Sequence, residues 1–193
     1  MISAVVLAAG PTTGDQNFYS PREDKPLLQW VLESALESDL DEVICVTRDL
    51  AAVRRDIRLA DKRLCWFLNS AADRGQSTSL IAGLWASHPQ SDGVMFLAGD
   101  RIPVPKELIN SLIARFEQCP ASIVAPRFAG RPCSPALFRR DLFPELLKLS
   151  GNRSESSLLE SHADKIALVE WQEGFFLSDG AQSKSHARLK ESL

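Results

Sequence analysis

The stretch AVVLAAGPTTGDQNFYSPREDKPLL, residues 4–28, brings groups suited to phosphate binding to the end of an apolar run. Gly10 follows that run directly, and a glycine there lets the backbone turn tightly and present its N–H groups to an anion. The hydroxyl of Thr12 is a further donor, and Lys25 offers a positive charge to the same phosphates. The alternative is structural: the triplet AAG ends a strand, and Lys25 is a solvated surface lysine.

A carboxylate stands at the end of another apolar run, GVMFLAGD, residues 93–100. If this run is a buried strand, Asp100 lies at the edge of the sheet. There a carboxylate can hold Mg²⁺ between phosphate oxygens. The alternative is that Asp100 caps the helix that follows.

A polar cluster opens a third segment, DRGQSTSLIAGL, residues 73–84. Gly75 predicts a turn, and Gln76, Ser77 and Ser79 follow it at the start of a predicted helix. The first turn of a helix has free N–H groups and a partial positive charge, so it suits an anion or the polar edge of a base. The alternative is an ordinary helix cap built from hydroxyl side chains.

Strands and helices alternate along the chain and explain how these residues come together. The predicted strands are ISAVVLAA, EVICVT, RLCWFLN, GVMFLAGD, ASIVAPRF and ALVEW. The predicted helices are KPLLQWVLESALES, STSLIAGLWAS, PKELINSLIARFEQ, DLFPELLKLS and SESSLLESH. This alternation predicts a three-layer α/β fold with a mostly parallel sheet. Ligands bind at the carboxyl ends of such strands, so Gly10, Asn69 and Asp100 are expected on one edge.

Composition limits the class of protein. A chain of 193 residues that is 45% hydrophobic predicts one globular domain over residues 1–193. The net charge of −3 and the lack of a basic stripe argue against nucleic acid as a partner. No apolar run approaches the roughly 18 residues of a membrane helix, so no membrane partner is expected. The four cysteines lack CxxC spacing, which favours free thiols and a cytoplasmic protein. Trp30 and Trp85 lie on apolar helix faces and are predicted core residues.

The chain resembles the nucleotidyltransferases that attach a nucleotide to molybdopterin, and most of all the molybdenum cofactor cytidylyltransferases. The runs VVLAAG and KPLL resemble the two ends of the family's signature loop. GQSTSLIAGL is similar to the family's Gly-x-x-x-Ser-Leu-x-x-Gly-Leu stretch, and LAGD to its Leu-Gly-Asp metal motif. GRPCSPALFRRDLFPELLKLSGN resembles its Gly-x-x-Gly-His-Pro-x-Leu-Phe pattern and the helix that follows. The order and spacing of these motifs match over nearly the whole chain.

The resemblance implies a Rossmann-like nucleotidyltransferase fold that binds a nucleoside triphosphate with Mg²⁺. It also implies transfer of the nucleotide to the phosphate of molybdopterin or a similar phosphorylated molecule, with release of pyrophosphate. A molybdoenzyme is then a possible protein partner. The roles it implies are catalytic for Lys25, Asp100 and Arg22; nucleotide-binding for Ala8, Ala9, Gly10, Thr12, Gln76, Ser77 and Ser79; acceptor-binding for Arg131 and Ser134; and metal-binding for Asp100 and Asp179.

Several site motifs depart from the family pattern. The family has a short loop with an arginine and a glycine before the lysine, whereas here Gly10 and Lys25 are fifteen residues apart and Arg22 lies three before Lys25. The Gly-His-Pro motif reads Cys133-Ser134-Pro135, and the late Asp-rich motif is reduced to residues 177–180. Each charge-assisted phosphate contact that is lost costs on the order of 1.5–3 kcal/mol. We therefore expect nucleotide binding with slow or absent transfer.

Three hypotheses follow from the sequence. The first is an Mg²⁺-dependent nucleotidyltransferase that acts on molybdopterin, with cytidine or guanosine as the nucleoside. The second is a non-catalytic relative that binds a nucleotide or a pterin cofactor during molybdoenzyme maturation. The third keeps the transfer chemistry but changes the acceptor to a sugar phosphate or another small phosphate.

Overall fold

The computed structural model describes residues 1–10, 18, 21–22, 25–128 and 130–171. Its strands and helices, in chain order, are β1 (Ile2–Ala8), β2 (Pro21–Arg22), β3 (Lys25–Pro26), α1 (Leu27–Leu36), β4 (Glu42–Thr47), α2 (Leu50–Asp56), β5 (Leu64–Leu68), α3 (Ser77–Ala86), β6 (Gly93–Ala98), α4 (Lys106–Gln118), β7 (Ile123–Phe128), β8 (Arg131–Pro132), β9 (Leu137–Arg139), α5 (Phe143–Leu146), α6 (Ser156–Ser161) and β10 (Ile166–Glu170). Every strand and helix predicted from the sequence is present. The prediction missed α2 and the short strands β2, β3, β8 and β9.

One mixed sheet of eight strands is the centre of the part of the chain that the structure describes. Its order is β10-β7-β9-β6-β1-β4-β5, with β8 paired to β7. The pairs β1–β4, β1–β6, β4–β5 and β7–β10 are parallel. Strand β9 is antiparallel to both of its neighbours, β6 and β7. The predicted mostly parallel sheet is thus confirmed, and β9 is the antiparallel insertion in it.

Helices cover both faces of the sheet and form the predicted three layers. On one face, Leu28 and Leu32 of α1 pack with Leu108 of α4 in a buried cluster. On the other face, Leu80 of α3 and Leu158 of α6 belong to a second buried cluster. Strand β1 contributes to both clusters, with Ala4 and Val6 in the first and Val5 in the second, because its side chains point alternately to the two faces.

Helix α3 lies very close to strands β1 and β4 of the sheet. A Cβ added to Gly83 would lie 2.2 Å from Cγ1 of Val5 and 3.1 Å from Cγ2 of Val46. Only a glycine allows the helix to approach the sheet this closely, and this fixes the position of the residues at the start of α3.

Two side-chain predictions are wrong or incomplete. Trp85 was predicted in the core, yet it is 73% exposed on α3. Trp30 is half-buried and lies under the side chain of Lys25.

Among the described residues the cysteines are free thiols. Cys45 is buried and Cys65 is exposed. No helix in the described ranges combines the length and apolar character needed to cross a membrane.

Candidate functional site

The carboxyl ends of β1 and β6 meet at one edge of the sheet. The two strands are parallel neighbours, with Leu7 opposite Ala98. The backbone N–H of Gly99 donates to the carbonyl of Leu7 at 3.0 Å. A Cβ on Gly99 would lie 2.9 Å from that same oxygen, so the close approach requires glycine. This contact brings the turn after β1 beside the turn that carries Asp100.

A cleft of about 460 Å³ opens at this edge. It is lined by residues from the ends of several strands and from the start of α3: Leu7, Ala9, Gly10, Phe18, Arg48, Ala72, Asp73, Gly75, Gln76, Ser79, Ala98, Asp100, Arg101 and Asn152. The structure therefore brings together Ala9, Gly10, Gln76, Ser79 and Asp100 from the residues predicted by sequence. The cleft is large enough for a small ligand such as a nucleotide.

Asp100 does not cap the next helix. Helix α4 begins at Lys106, its N-cap residue is Pro105, and no side chain caps it. The carboxylate lines the cleft instead. The described residues contain no group of three or more His, Cys, Asp or Glu that could hold a metal ion. A single carboxylate such as that of Asp100 could hold a divalent cation only together with oxygen ligands from the substrate, such as phosphates.

A contact between two loops holds the start of α3. Gly75 has φ +120°, and a Cβ there would lie 2.3 Å from the carbonyl oxygen of Gly151. That same oxygen accepts the N–H of Ser77 at 3.1 Å. Ser77 is buried, and its backbone N–H is used in this contact between the loops. Gln76 and Ser79 carry the polar groups that line the cleft at this helix.

The hydroxyl groups of α3 do not form the simple cap considered above. The N-cap residue is Gln76, and its side chain makes no capping hydrogen bond. Instead, the buried amide of Asn69 donates to the hydroxyl oxygens of Thr78 and Ser79, each at 3.0 Å. Asn69 also accepts the N–H of Ala71 at 3.0 Å. The end of β5 is thereby tied to the first turn of α3.

Lys25 takes a position that neither sequence interpretation included. Its ammonium group forms an ion pair with Glu33 of α1 and lies 3.5 Å from the ring centroid of Trp30. The side chain is 21% exposed, so it is not a solvated surface lysine. It is not among the residues that line the cleft. Arg22 belongs to β2, whose backbone pairs with that of Lys25, and its side chain is not described.

Arg48 lines the cleft and was missed by the sequence reasoning. It directly follows β4, and its Nε donates to the carbonyl oxygen of Ala9 at 2.8 Å. Its guanidinium also lies 3.2 Å from a carboxylate oxygen of Asp73, which is 90% exposed. The strand-end argument applied to Gly10 and Asp100 applies equally to Arg48. Its position after the run EVICVT was the signal that could have identified it.

A small pocket of about 50 Å³ adjoins the cleft on the side of β9. Ser134, Pro135 and Glu155 contribute to its wall, and Leu7, Gln76, Ala98 and Arg101 line both this pocket and the cleft. The hydroxyl of Ser134 donates to the buried carboxylate of Glu155 at 3.2 Å. No sequence signal marked Glu155 or Arg101 for this position.

The remaining predicted residues lie elsewhere. Ala8 is buried at the end of β1, and Arg131 is exposed on β8. Thr12 and Asp179 lie outside the described residues. Beside Ser134, burial raises the pKa of the Cys133 thiol. The neutral thiol contacts the carbonyl oxygen of Pro126 at 3.5 Å, which does not favour a nucleophilic role for it.

A larger cavity, of about 720 Å³, lies at the opposite edge of the sheet. It is lined by Asp39, Asp41, Asp92 and Glu117 together with Arg139, the amino group of Met1 and several uncharged residues. Four carboxylates against two positive groups, one of which is paired with Asp92, disfavour a polyphosphate, because like charges repel. The charge of its walls and the strand-end rule both select the smaller cleft as the candidate nucleotide site.

The chain belongs to the MobA-like NTP transferase domain family, whose model matches residues 4–166. It is therefore a member of a nucleotidyltransferase family, as the motif resemblance implied. No curated protein sequence matches the chain.

Solved structures show the same fold. Rv0371c from Mycobacterium tuberculosis H37Rv, crystallised in complex with manganese, is 27% identical with a TM-score of 0.75, and the alignment covers 100% of this chain and 99% of that one. Its homologue from Mycobacterium sp. strain JC1 is 25% identical with a TM-score of 0.74, over 89% and 86% of the two chains. A nucleotidyl transferase from Methanothermobacter is 20% identical with a TM-score of 0.72, over 99% and 96%, and supports the fold alone. The Rossmann-like nucleotidyltransferase fold is thus confirmed.

Proposed function

We propose that this protein is a divalent-metal-dependent nucleotidyltransferase. It transfers a cytidylyl or guanylyl group from a nucleoside triphosphate to molybdopterin or a similar phosphorylated acceptor. The observation that carries the proposal is the shared cleft of Gly10, the start of α3 and Asp100 at the carboxyl edge of the sheet. The manganese complex of the similar Rv0371c supports a divalent metal, and we propose Mg²⁺ as the ion used here.

Different residues of the cleft bind different parts of the nucleotide. Backbone N–H groups of the turn at Gly10 bind the triphosphate, because a glycine turn after a strand presents donors to an anion. Gln76 and Ser79 offer uncharged hydrogen-bonding groups to the base and ribose. Arg48, anchored on the carbonyl of Ala9, adds a positive charge to this wall.

Asp100 holds the metal together with phosphate oxygens of the substrate, and we propose Asp179 as a further ligand. When bound, the metal neutralises the negative charge of the triphosphate. Asp100 needs no cage of other carboxylates for this role, since the substrate provides the remaining oxygen ligands.

We propose that the ammonium group of Lys25 exchanges its ion pair with Glu33 for a contact with the phosphates and neutralises part of their charge. We propose that Arg22, on the adjoining strand β2, adds a second positive charge. We propose that Ser134, in the small pocket beside the cleft, and Arg131, exposed on β8, bind the acceptor. The reaction itself needs mostly positioning and charge neutralisation, because phosphoryl and nucleotidyl transfers leave little covalent chemistry to the protein.

Pyrophosphate release tests the proposal. Purified protein is incubated with Mg²⁺, molybdopterin and either CTP or GTP, and pyrophosphate is measured over time. We expect slow release with one of the two nucleotides, and its loss in Asp100→Asn. Glu117→Gln is the matched control, because it removes one exposed carboxylate at the opposite edge.

The outcomes separate the alternatives. Release with a sugar phosphate but not with molybdopterin would keep the chemistry and change the acceptor. Metal-dependent nucleotide binding without release for any acceptor would contradict the enzymatic proposal and favour a nucleotide-binding relative. Release that Asp100→Asn leaves unchanged would remove Asp100 from the site.

A further inference from the structure

Arg101 occupies the boundary between the cleft and the small pocket beside β9. Four described residues line both spaces: Leu7, Gln76, Ala98 and Arg101. Leu7 and Ala98 are apolar and Gln76 is neutral, so Arg101 brings the positive charge to this shared wall. It also follows Asp100 directly in the chain, which places both charged residues in the same short segment after β6.

The charges of the small pocket determine on which side of this boundary a phosphate can lie. Glu155 contributes a buried carboxylate to the pocket, and Ser134 donates to it. A carboxylate repels a phosphate anion, and a space of about 50 Å³ leaves no room to separate the two. Phosphate groups are therefore expected on the cleft side, where Arg48 and Arg101 both contribute positive charge and the metal proposed at Asp100 would offset its carboxylate.

Nucleotidyl transfer requires donor and acceptor to meet at the α-phosphorus. An oxygen of the acceptor phosphate attacks the α-phosphorus and forms a new P–O bond. The bond from the α-phosphorus to the bridging oxygen breaks, and pyrophosphate leaves with the electron pair. Any proton on the attacking oxygen passes to solvent. Charge on the non-bridging α-phosphate oxygens must be neutralised during this step, and a guanidinium suits them because its parallel N–H groups match two oxygens.

We propose that Arg101 is a catalytic residue that contacts the α-phosphate where the nucleotide and the acceptor phosphate meet. This inference rests on the proposed function and deepens it. Arg101 then provides an arginine for the transfer from a segment other than the first loop, where the family pattern has its arginine. Arg48 lines the same cleft but contacts Ala9 and Asp73.

The test compares Arg101→Ala, Arg101→Lys and Arg48→Ala with the parent. Two quantities are measured: the affinity for Mg²⁺ with CTP or GTP, and the kcat of pyrophosphate release with molybdopterin. For Arg101→Ala we expect nucleotide affinity within about threefold of the parent and a kcat lower by roughly tenfold to a hundredfold. Arg101→Lys should lie in between, because lysine keeps the charge but loses the planar fork. Arg48→Ala should mainly weaken nucleotide binding. Arg115→Ala, an exposed arginine of α4, is the matched control for the loss of a guanidinium.

A second readout does not depend on turnover. Phosphorus NMR of Mg²⁺ with CTP or GTP bound to the parent reports the three phosphates separately. In Arg101→Ala the α-phosphorus resonance should move, while the β and γ resonances keep their parental positions. An unchanged α resonance, or a kcat within about threefold of the parent, would overturn the proposal for Arg101 alone. If the parent binds nucleotide but releases no pyrophosphate, the proposed function fails and the NMR result decides the contact. If the parent binds no nucleotide, both fail.

Discussion

Lys25 illustrates how neighbouring side chains determine what a charged residue can do. From the sequence, Lys25 was interpreted either as a phosphate ligand or as a solvated surface lysine. In the structure, its ammonium group pairs with Glu33 and lies over the ring of Trp30. Neither partner was predictable, because an ion pair eight residues apart depends on how β3 leads into α1. The role we propose for Lys25 requires the ammonium to exchange a carboxylate for a phosphate.

Lys25→Met tests that exchange. We expect the affinity for Mg²⁺ with CTP or GTP to fall by roughly tenfold or more, since a charge-assisted contact to phosphate is lost. Fluorescence or calorimetric titration gives the affinity, and thermal unfolding reports any effect on the fold. The control is Lys106→Met on α4, which breaks an exposed pair with Glu37 at the end of α1. Unchanged affinity with a lower melting temperature would make Lys25 a structural residue only.

Some individual residues were predictable from sequence and others were not. Asp100 and Gly10 follow buried strands, and the rule that strand ends meet was enough to place both at one edge. Arg48 obeys the same rule and was overlooked. Glu155 reaches the small pocket from the segment before α6, where nothing in the chain marks it. Trp85 was misjudged because its apolar neighbours on α3 face the sheet while its own side chain faces outward.

At the scale of elements, the site depends on how β1, β6 and α3 fit together. These elements were predictable because their apolar runs are long and end at glycine or hydroxyl residues. Strand β9 was missed because three residues carry too little pattern to predict. Helix α2 was overlooked, although Asp49 before it is a recognisable capping residue that accepts the N–H groups of Ala51 and Ala52. The antiparallel β9 matters for function, because the preceding residues Ser134 and Pro135 help to form the small pocket. A periodic sequence pattern can reveal a strand, but it does not tell whether a short strand such as β9 runs parallel or antiparallel to its neighbours.

Gly83→Ala tests the close packing of α3 on the sheet. Helix propensity alone predicts a gain of about 1 kcal/mol from replacing glycine with alanine. The new Cβ would lie 2.2 Å from Cγ1 of the buried Val5, and the stiff branched side chain has little room to move. Overpacking of this kind costs about 1–3 kcal/mol, so we expect a lower free energy of unfolding in urea.

The double variant Val5→Ala with Gly83→Ala separates contact from propensity. Removing the γ carbons of Val5 makes space for the new methyl group, so the double variant should lose less stability than the sum of the single variants. Additive losses would place the strain elsewhere. A Gly83→Ala protein as stable as the parent would contradict the close approach of helix and strand.

At the scale of the whole molecule, the two edges of the sheet differ in charge. The cavity at the amino edge has four carboxylates against Arg139 and the amino group of Met1. The cleft at the carboxyl edge has two guanidinium groups, Arg48 and Arg101, against two carboxylates, Asp73 and Asp100. The net charge of −3 says nothing about this separation, which appears only when the chain is folded. Sequence patterns predicted the architecture and brought Gly10 and Asp100 to the edge of the sheet where the cleft lies. They did not predict Arg48, Arg101 and Glu155, which reach the cleft and the small pocket from segments distant in sequence.

The proposed function requires the carboxyl edge of the sheet to bind a nucleotide through a metal held by Asp100. Isothermal titration calorimetry of Mg²⁺ with CTP and with GTP, on the parent and on Asp100→Ala, measures this binding. We expect metal-dependent binding by the parent and its loss in Asp100→Ala, while thermal unfolding of the variant stays close to that of the parent. Equal affinity of variant and parent for the nucleotide in the presence of Mg²⁺ would show that Asp100 does not hold the metal.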